Sequence, residues 1–240
     1  MKFIIELTFV LILLASIWTG YKKGLIPGIA TLLSIIISMY VGSLFSETFS
    51  PELEKAIHPF VRGYMEGSNS VLGETLDEIL VDGQDLSVDD AVKRNPEIAY
   101  ELTEKNFYNL GLYPRPAKNL AKTVIREYDE GETGLSSAIA SVVSDATAFF
   151  IAFIIFFALS LIILTVILNL MNLNLDLPKL NRINSAGGIA SGALIGMFFC
   201  FLTAWILKFA DLLVTTEKIR ALLIGNLFMK ADILNLFLPY

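Results

Sequence analysis

Four stretches of this sequence are nearly free of charge and long enough to cross a bilayer. They run from Phe3 to Tyr21, with Glu6 as the sole interruption, from Leu25 to Ser46, from Ala146 to Leu175, and from Ile183 to Leu207. A helix needs about 20 apolar residues to cross a hydrocarbon core of ~30 Å. Inside that core each backbone amide must be paired within the chain, which favours a helix over any open strand. The third stretch is longer than a perpendicular span requires, so it tilts or emerges as ordinary helix. Asn169, Asn172 and Asn174 mark its polar exit. The composition agrees: 55% of the 240 residues are hydrophobic and 18% are charged, against roughly 25% charged in an average soluble domain.

The expected fold is an all-α integral membrane protein with four transmembrane helices in two hairpins. A helical extramembrane insertion separates helices two and three. The boundaries read 1–46 for the first hairpin, 47–145 for the insertion, 146–207 for the second hairpin and 208–240 for an amphipathic tail. The first window is read as a retained span and not a signal peptide. Lys2 is offset by Glu6, no A-x-A site follows, and Lys22-Lys23 stands where cleavage would fall. Glu6 lies within two turns of the N-terminus and is read as an interfacial carboxylate.

Short turns join the paired spans. Gly20-Tyr21-Lys22-Lys23-Gly24 links the first two, and Asp176-Leu177-Pro178-Lys179-Leu180-Asn181-Arg182 links the last two. Basic residues in short loops face the cytoplasm, so Lys22, Lys23, Lys179 and Arg182 are the topology-determining set. They place the 47–145 block outside. Lys2, Lys55, Arg62, Arg126, Lys208, Lys218 and Arg220 stand near span ends on the other side and oppose that assignment by number. The block itself holds 19 acidic and 9 basic residues, a net charge of −10. Its pattern is helical: Ser50-Pro51 reads as a helix start, with Leu53, Ile57, Val61 and Tyr64 following at helical spacing. Ser87 with Asp90 resembles a capping box. Asn95-Pro96 starts another helix, Tyr113-Pro114-Arg115-Pro116 breaks the chain, and Gly131 and Gly134 mark the last loop. The expectation is a bundle of short helices resting on the membrane or on the protein's own spans.

In the tail, Ile219, Leu222-Leu223, Leu227, Ile233-Leu234 and Phe237 keep helical spacing, with Lys230 and Asp232 interrupting. Either an interfacial amphipathic helix or a helix packed under the block fits that pattern.

Small residues form the clearest periodic pattern. Gly188, Gly192, Gly196, Cys200 and Ala204 recur every four residues and share one helix face. Helices in lipid associate by close backbone approach at such faces. Thr31, Ser34, Ser38 and Gly42 make a second stripe, expected to meet the first and to hydrogen-bond across it. Gly20, Gly24 and Gly28 also follow at fours.

Chemistry is scarce by comparison. A net charge of −6 with no basic cluster excludes a nucleic-acid partner. One Cys and one His exclude a disulfide framework and two-histidine zinc motifs. There is no G-x-S-x-G, H-E-x-x-H or P-loop, so no catalytic, cofactor or metal residue is assigned. His58 reads as an exposed histidine, Cys200 as a packing residue, and Asp77-Glu78 and Asp89-Asp90 as solvated faces. The expected partners are the lipid bilayer and either itself or other membrane proteins.

Two stretches carry a family resemblance. Gly20-Tyr21-Lys22-Lys23-Gly24-Leu25 is similar to the basic turn after the first span of the colicin V production protein family. Leu180-Asn181-Arg182-Ile183-Asn184-Ser185-Ala186-Gly187-Gly188, followed by Gly192 and Gly196, resembles that family's turn into a Gly-x-x-x-Gly span. This chain has Leu25-Ile26-Pro27 where family members often carry an acidic residue. The resemblance implies a non-enzymatic protein of the bacterial plasma (inner) membrane that supports toxin production or export, or envelope maintenance. The alternative is an oligomeric channel or small-solute transporter, because Gly28-Ile29-Ala30-Thr31 echoes Gly188-Ile189-Ala190-Ser191 as an internal repeat would.

Overall fold

The computed structural model describes residues 2–66, 71–79, 87–110, 112, 114–131, 134–171, 181–209 and 227–228. All the regular structure among them is helical: α1 (Lys2–Lys23), α2 (Leu25–Glu66), α3 (Val71–Ile79), α4 (Val88–Arg94), α5 (Ile98–Asn109), α6 (Pro114–Glu130), α7 (Leu135–Leu170) and α8 (Asn181–Phe209). Four of these are long and apolar enough to cross a membrane, within Ile4–Lys23, Leu25–Met65, Leu135–Leu170 and Arg182–Leu207. That is compatible with a multi-pass membrane protein.

Two helices outrun the windows that hydropathy marks. α2 does not stop at Ser46 and restart at Pro51; it continues to Glu66 with Pro51 and Pro59 inside it. Each proline removes one amide donor, leaving the Glu47 and Lys55 carbonyls without their i+4 bond, but its fixed φ is itself helical. Burial of Met65 anchors the far end. Likewise α7 begins at Leu135, well before Ala146. At ~1.5 Å per residue it is about 54 Å long, more than a bilayer core requires. Its early residues Leu135, Ala138, Ile139 and Val142 are buried in a core of their own.

The chain divides into two compact units. The first takes Met1–Ser46 and Phe153–Leu207 together with Phe228; the second takes Glu47–Ala152. α2 and α7 contribute residues to both.

The first unit contains α1, α8 and parts of α2 and α7. Its aromatic residues cluster on themselves. Phe153 stacks with Phe157 at 5.7 Å and meets Trp205 edge-on at 5.5 Å. Phe228 lies parallel to Phe9 of α1 at 5.6 Å and edge-on to Phe201 of α8 at 5.0 Å. This part of the tail is therefore buried on α1 and α8. The rest of the tail's apolar pattern, from Ile219 to Phe237, lies outside the described residues apart from Leu227. So do Asn172, Asn174 and Lys179.

The second unit closes around its own apolar centre. Leu72 and Leu76 of α3, Val92 of α4, Leu102 and Phe107 of α5, and Leu120 and Val124 of α6 are buried together with Leu135 and Ile139 of α7. The short stripes meet one another and the ends of the long helices α2 and α7. Local caps fix the helix ends. Ser87 Oγ accepts from the Asp90 amide at 3.2 Å and donates to Asp90 Oδ2 at 2.7 Å, so this box closes through the hydroxyl and not through the Ser87 amide. Pro114 opens α6, where a missing amide costs nothing. The Asp89 carboxylate accepts from the Ser136 amide at 3.1 Å and the Ser136 hydroxyl at 3.2 Å, capping α7 from outside the helix. Gly134 leaves room for it: a Cβ there would strike that carboxylate. Asp89 is thus a structural cap and not part of a solvated acidic face.

Candidate functional site

The glycine-rich ends of α1, α2 and α8 form the most tightly built feature of the first unit. α1 ends at Lys23 and α2 begins at Leu25, with Gly24 alone between them at φ +85°. Only glycine takes that left-handed angle without strain. Gly24 donates to the Gly20 carbonyl at 2.9 Å and accepts from the Gly28 amide at 3.1 Å, so it closes one helix and opens the next. The free first amide of α2, on Leu25, donates to Asn184 Oδ1 of α8 at 2.8 Å. A helix start in an apolar setting would otherwise leave that donor unsatisfied.

The α8 stripe meets α1. A Cβ on Gly192 would lie 2.5 Å from the Ser16 carbonyl oxygen and 3.1 Å from Ile17 Cα. A Cβ on Gly188 would collide with the Gly20 carbonyl, and one on Gly196 would lie 3.1 Å from Ser16 Cβ. The contact continues below: buried Cys200 has its Sγ 3.7 Å from the Phe9 carbonyl, and Ala204 is buried. The expected partner, the Thr31, Ser34, Ser38, Gly42 stripe of α2, is not the one these glycines touch. Gly42 packs on Phe157 of α7, where its Cβ would lie 3.1 Å from the phenylalanine Cβ. The α2 hydroxyls do not reach across a helix interface either. Thr31 donates to the Pro27 carbonyl at 2.8 Å and Ser34 to the Ala30 carbonyl at 2.9 Å. An i−4 carbonyl is always within reach of a helical hydroxyl, so the bond needs no second helix. Ser38 is wholly buried, with no hydrogen-bond partner for its hydroxyl among the described residues.

The two echoing motifs also meet. Gly28 of the first faces the Ser191 hydroxyl of the second, and Ser191 in turn donates to the Gly188 carbonyl at 3.0 Å. Spacing could have located the true partner of α8: Gly20, Gly24 and Gly28 extend backwards at fours to Ser16. Nothing local to Asn184 or Asp89 announces that each caps a distant helix.

Beside this interlock lies a recess of about 390 Å³. Lys23, Thr31, Thr165 and Asn169 give it polar walls; Ile35, Leu161 and Phe199 give it apolar ones. A smaller recess of about 250 Å³ shares Lys23, Thr31 and Phe199 and reaches Ser16 and Thr19. Lys22 is turned to the Trp18 ring, 5.1 Å from its centroid. The second unit carries an apolar groove of about 610 Å³, walled by Phe60, Tyr64, Phe107, Leu112, Phe150 and Ile151 among others.

Groups able to do chemistry are dispersed. Among the described residues no three His, Cys, Asp or Glu side chains gather as a metal site would. His58 is half-buried within α2. Glu78 is held below the usual carboxylate range by its bonds to Lys105, 3.1 Å away, and to Asn109. Tyr100 is pushed up by burial and by Glu104. Neither lines the two recesses or the groove described above. Comparison with family models, with curated proteins and with solved structures finds no match to this chain.

Proposed function

We propose that this is a non-enzymatic, multi-pass protein of the bacterial plasma membrane. On this reading four spans in two hairpins carry the acidic helical block on the outer side, and both basic turns face the cytoplasm. Its task is a supporting one, in peptide-toxin production or export or in maintaining the envelope. The observation that carries the reading is the glycine contact of α8 with α1. Small faces filled by neighbouring backbone serve cohesion. The channel alternative draws on those same faces and on the echoing motifs, and the glycines of both make contacts within the chain. The toxin branch rests on the resemblance to the colicin V production family through the two turns alone.

A deletion strain of the source bacterium, assayed for peptide-toxin export and for envelope stress, tests the proposal. A defect in either, restored by the native gene, is expected. Normal behaviour in both, or solute flux through the purified protein in liposomes, would overturn it.

A further inference from the structure

We infer that the recess beside the glycine interlock is a binding site for one anionic phospholipid, its phosphoryl head at Lys23 and Asn169 and an acyl chain along Ile35 and Leu161. The inference requires the four helices to sit in a bilayer, and it stands whether or not the protein serves toxin export.

The recess is graded in polarity along its depth. Lys23 is the last residue of α1, Pro27 lies in the first turn of α2, and Asn169 in the last turn of α7. These form the outer level. Thr31 and Thr165 come one turn further in, and Ile35 and Leu161 two turns in, about 12 Å from the outer level at 1.5 Å per residue. Cation and amide stand at the helix ends beside Leu168, hydroxyls next, hydrocarbon below. A phospholipid has the same order: phosphate, ester oxygens, acyl chain. Thr31 gives its proton to the Pro27 carbonyl, so it offers no donor to an anion, and the charge is met at the outer level by Lys23 and the Asn169 amide, with the Thr165 hydroxyl one turn further in. The volume lies within the ~300–1,000 Å³ usual for small-molecule sites. Basic pockets between spans are a known physical solution for acidic head groups. Lys22, engaged on Trp18, is the natural control.

The test uses the full-length protein, purified in a mild detergent and analysed by native mass spectrometry. It is incubated with phosphatidylglycerol or with phosphatidylcholine of identical chains. The expected result is preferential retention of a single phosphatidylglycerol. Lys23→Gln should weaken that preference about fivefold, the factor equivalent to ~1 kcal/mol per basic residue at a membrane surface, while Lys22→Gln leaves it intact. Ala30→Leu fills the recess without altering charge and should lower retention by a similar factor. It keeps the test decisive if Lys23→Gln fails to assemble. Equal retention of the two lipids, equal effects of Lys22→Gln and Lys23→Gln, or full retention by Ala30→Leu would each overturn the inference. Displacement of the lipid by inorganic phosphate alone would overturn it too, by showing a site for a free anion.

Discussion

The two units solve the problem of cohesion in opposite ways. In the second, large side chains do the packing: Leu102, Phe107 and Val124 are wholly buried against one another's helices. In the first, the tightest contacts are made where side chains are missing. Gly188 and Gly192 bring the α8 backbone against Ser16, Ile17 and Gly20 of α1, while Leu11, Leu14, Ile162 and Ile163 point outward. A lipid tail is as apolar as leucine, so hydrocarbon on a span gains nothing by finding another span, and close van der Waals approach decides. The same amino acids therefore carry opposite meanings. Leucine holds the second unit together and would wedge the first apart.

The sharpest way to break this contrast is to enlarge a glycine. Gly192→Leu keeps α8 apolar and improves its helix propensity by roughly 1 kcal/mol, so membrane insertion should survive. The new side chain meets backbone, which cannot rotate aside, so the cost should reach or exceed the ~3 kcal/mol upper end of ordinary overpacking. We expect severe loss of protein from the membrane fraction by quantitative blotting. Leu194→Ile, at a position 51% exposed, should accumulate normally. Equal levels of the two would mean that the glycine face is not packed.

The converse change belongs to the second unit. Leu102→Ala should cost about 2–5 kcal/mol. It should speed hydrogen exchange throughout α5 and α6 while the exchange of α8 stays unchanged.

Smaller effects follow from the caps. Asp89→Ala removes the acceptor for the Ser136 amide at the start of α7 and should cost about 1–2 kcal/mol, read as fraying of residues 135–138 in the same exchange experiment. Asn184→Ala strips the bond to Leu25 and should cost ~1 kcal/mol, seen as a lowered melting temperature in detergent.

The smallest effect is the exposed Glu78–Lys105 link. The folded state lowers the Glu78 pKa, so its contribution is complete above the unfolded carboxylate pKa and disappears as pH falls through the folded one. After normalisation to the intrinsic amide rate, α3 should show slightly lower protection in acid, and Glu78→Gln should abolish that difference.

The four apolar helices were legible because a run without charge admits few other fates. Their ends were not. A helix that runs from one unit into the other keeps nearly all its hydrogen bonds, so neither Pro51 nor the polar stretch around Ser144-Asp145 interrupts it. Spacing revealed which face of α8 is small, but not which neighbour meets it. The hydroxyl stripe of α2 was expected there, yet Thr31 and Ser34 bond carbonyls of their own helix and Ser38 bonds none across the interface. Asp89 and Asn184 act across 47 and 159 residues of sequence, a separation that no local pattern records.

The central claim is that α8 lies on α1, and a pair of cysteines measures it directly. In a Cys200→Ala background, Ser16→Cys with Gly196→Cys puts two Cβ atoms near 3.1 Å, slightly closer than the ~3.5–4.5 Å of a disulfide and able to reach it after a small outward relaxation. Oxidation of membranes should join them rapidly, detected as the linked peptide by mass spectrometry, while Ser38→Cys with Gly196→Cys stays unlinked. Linking of the Ser38 pair and not of the Ser16 pair would contradict the account.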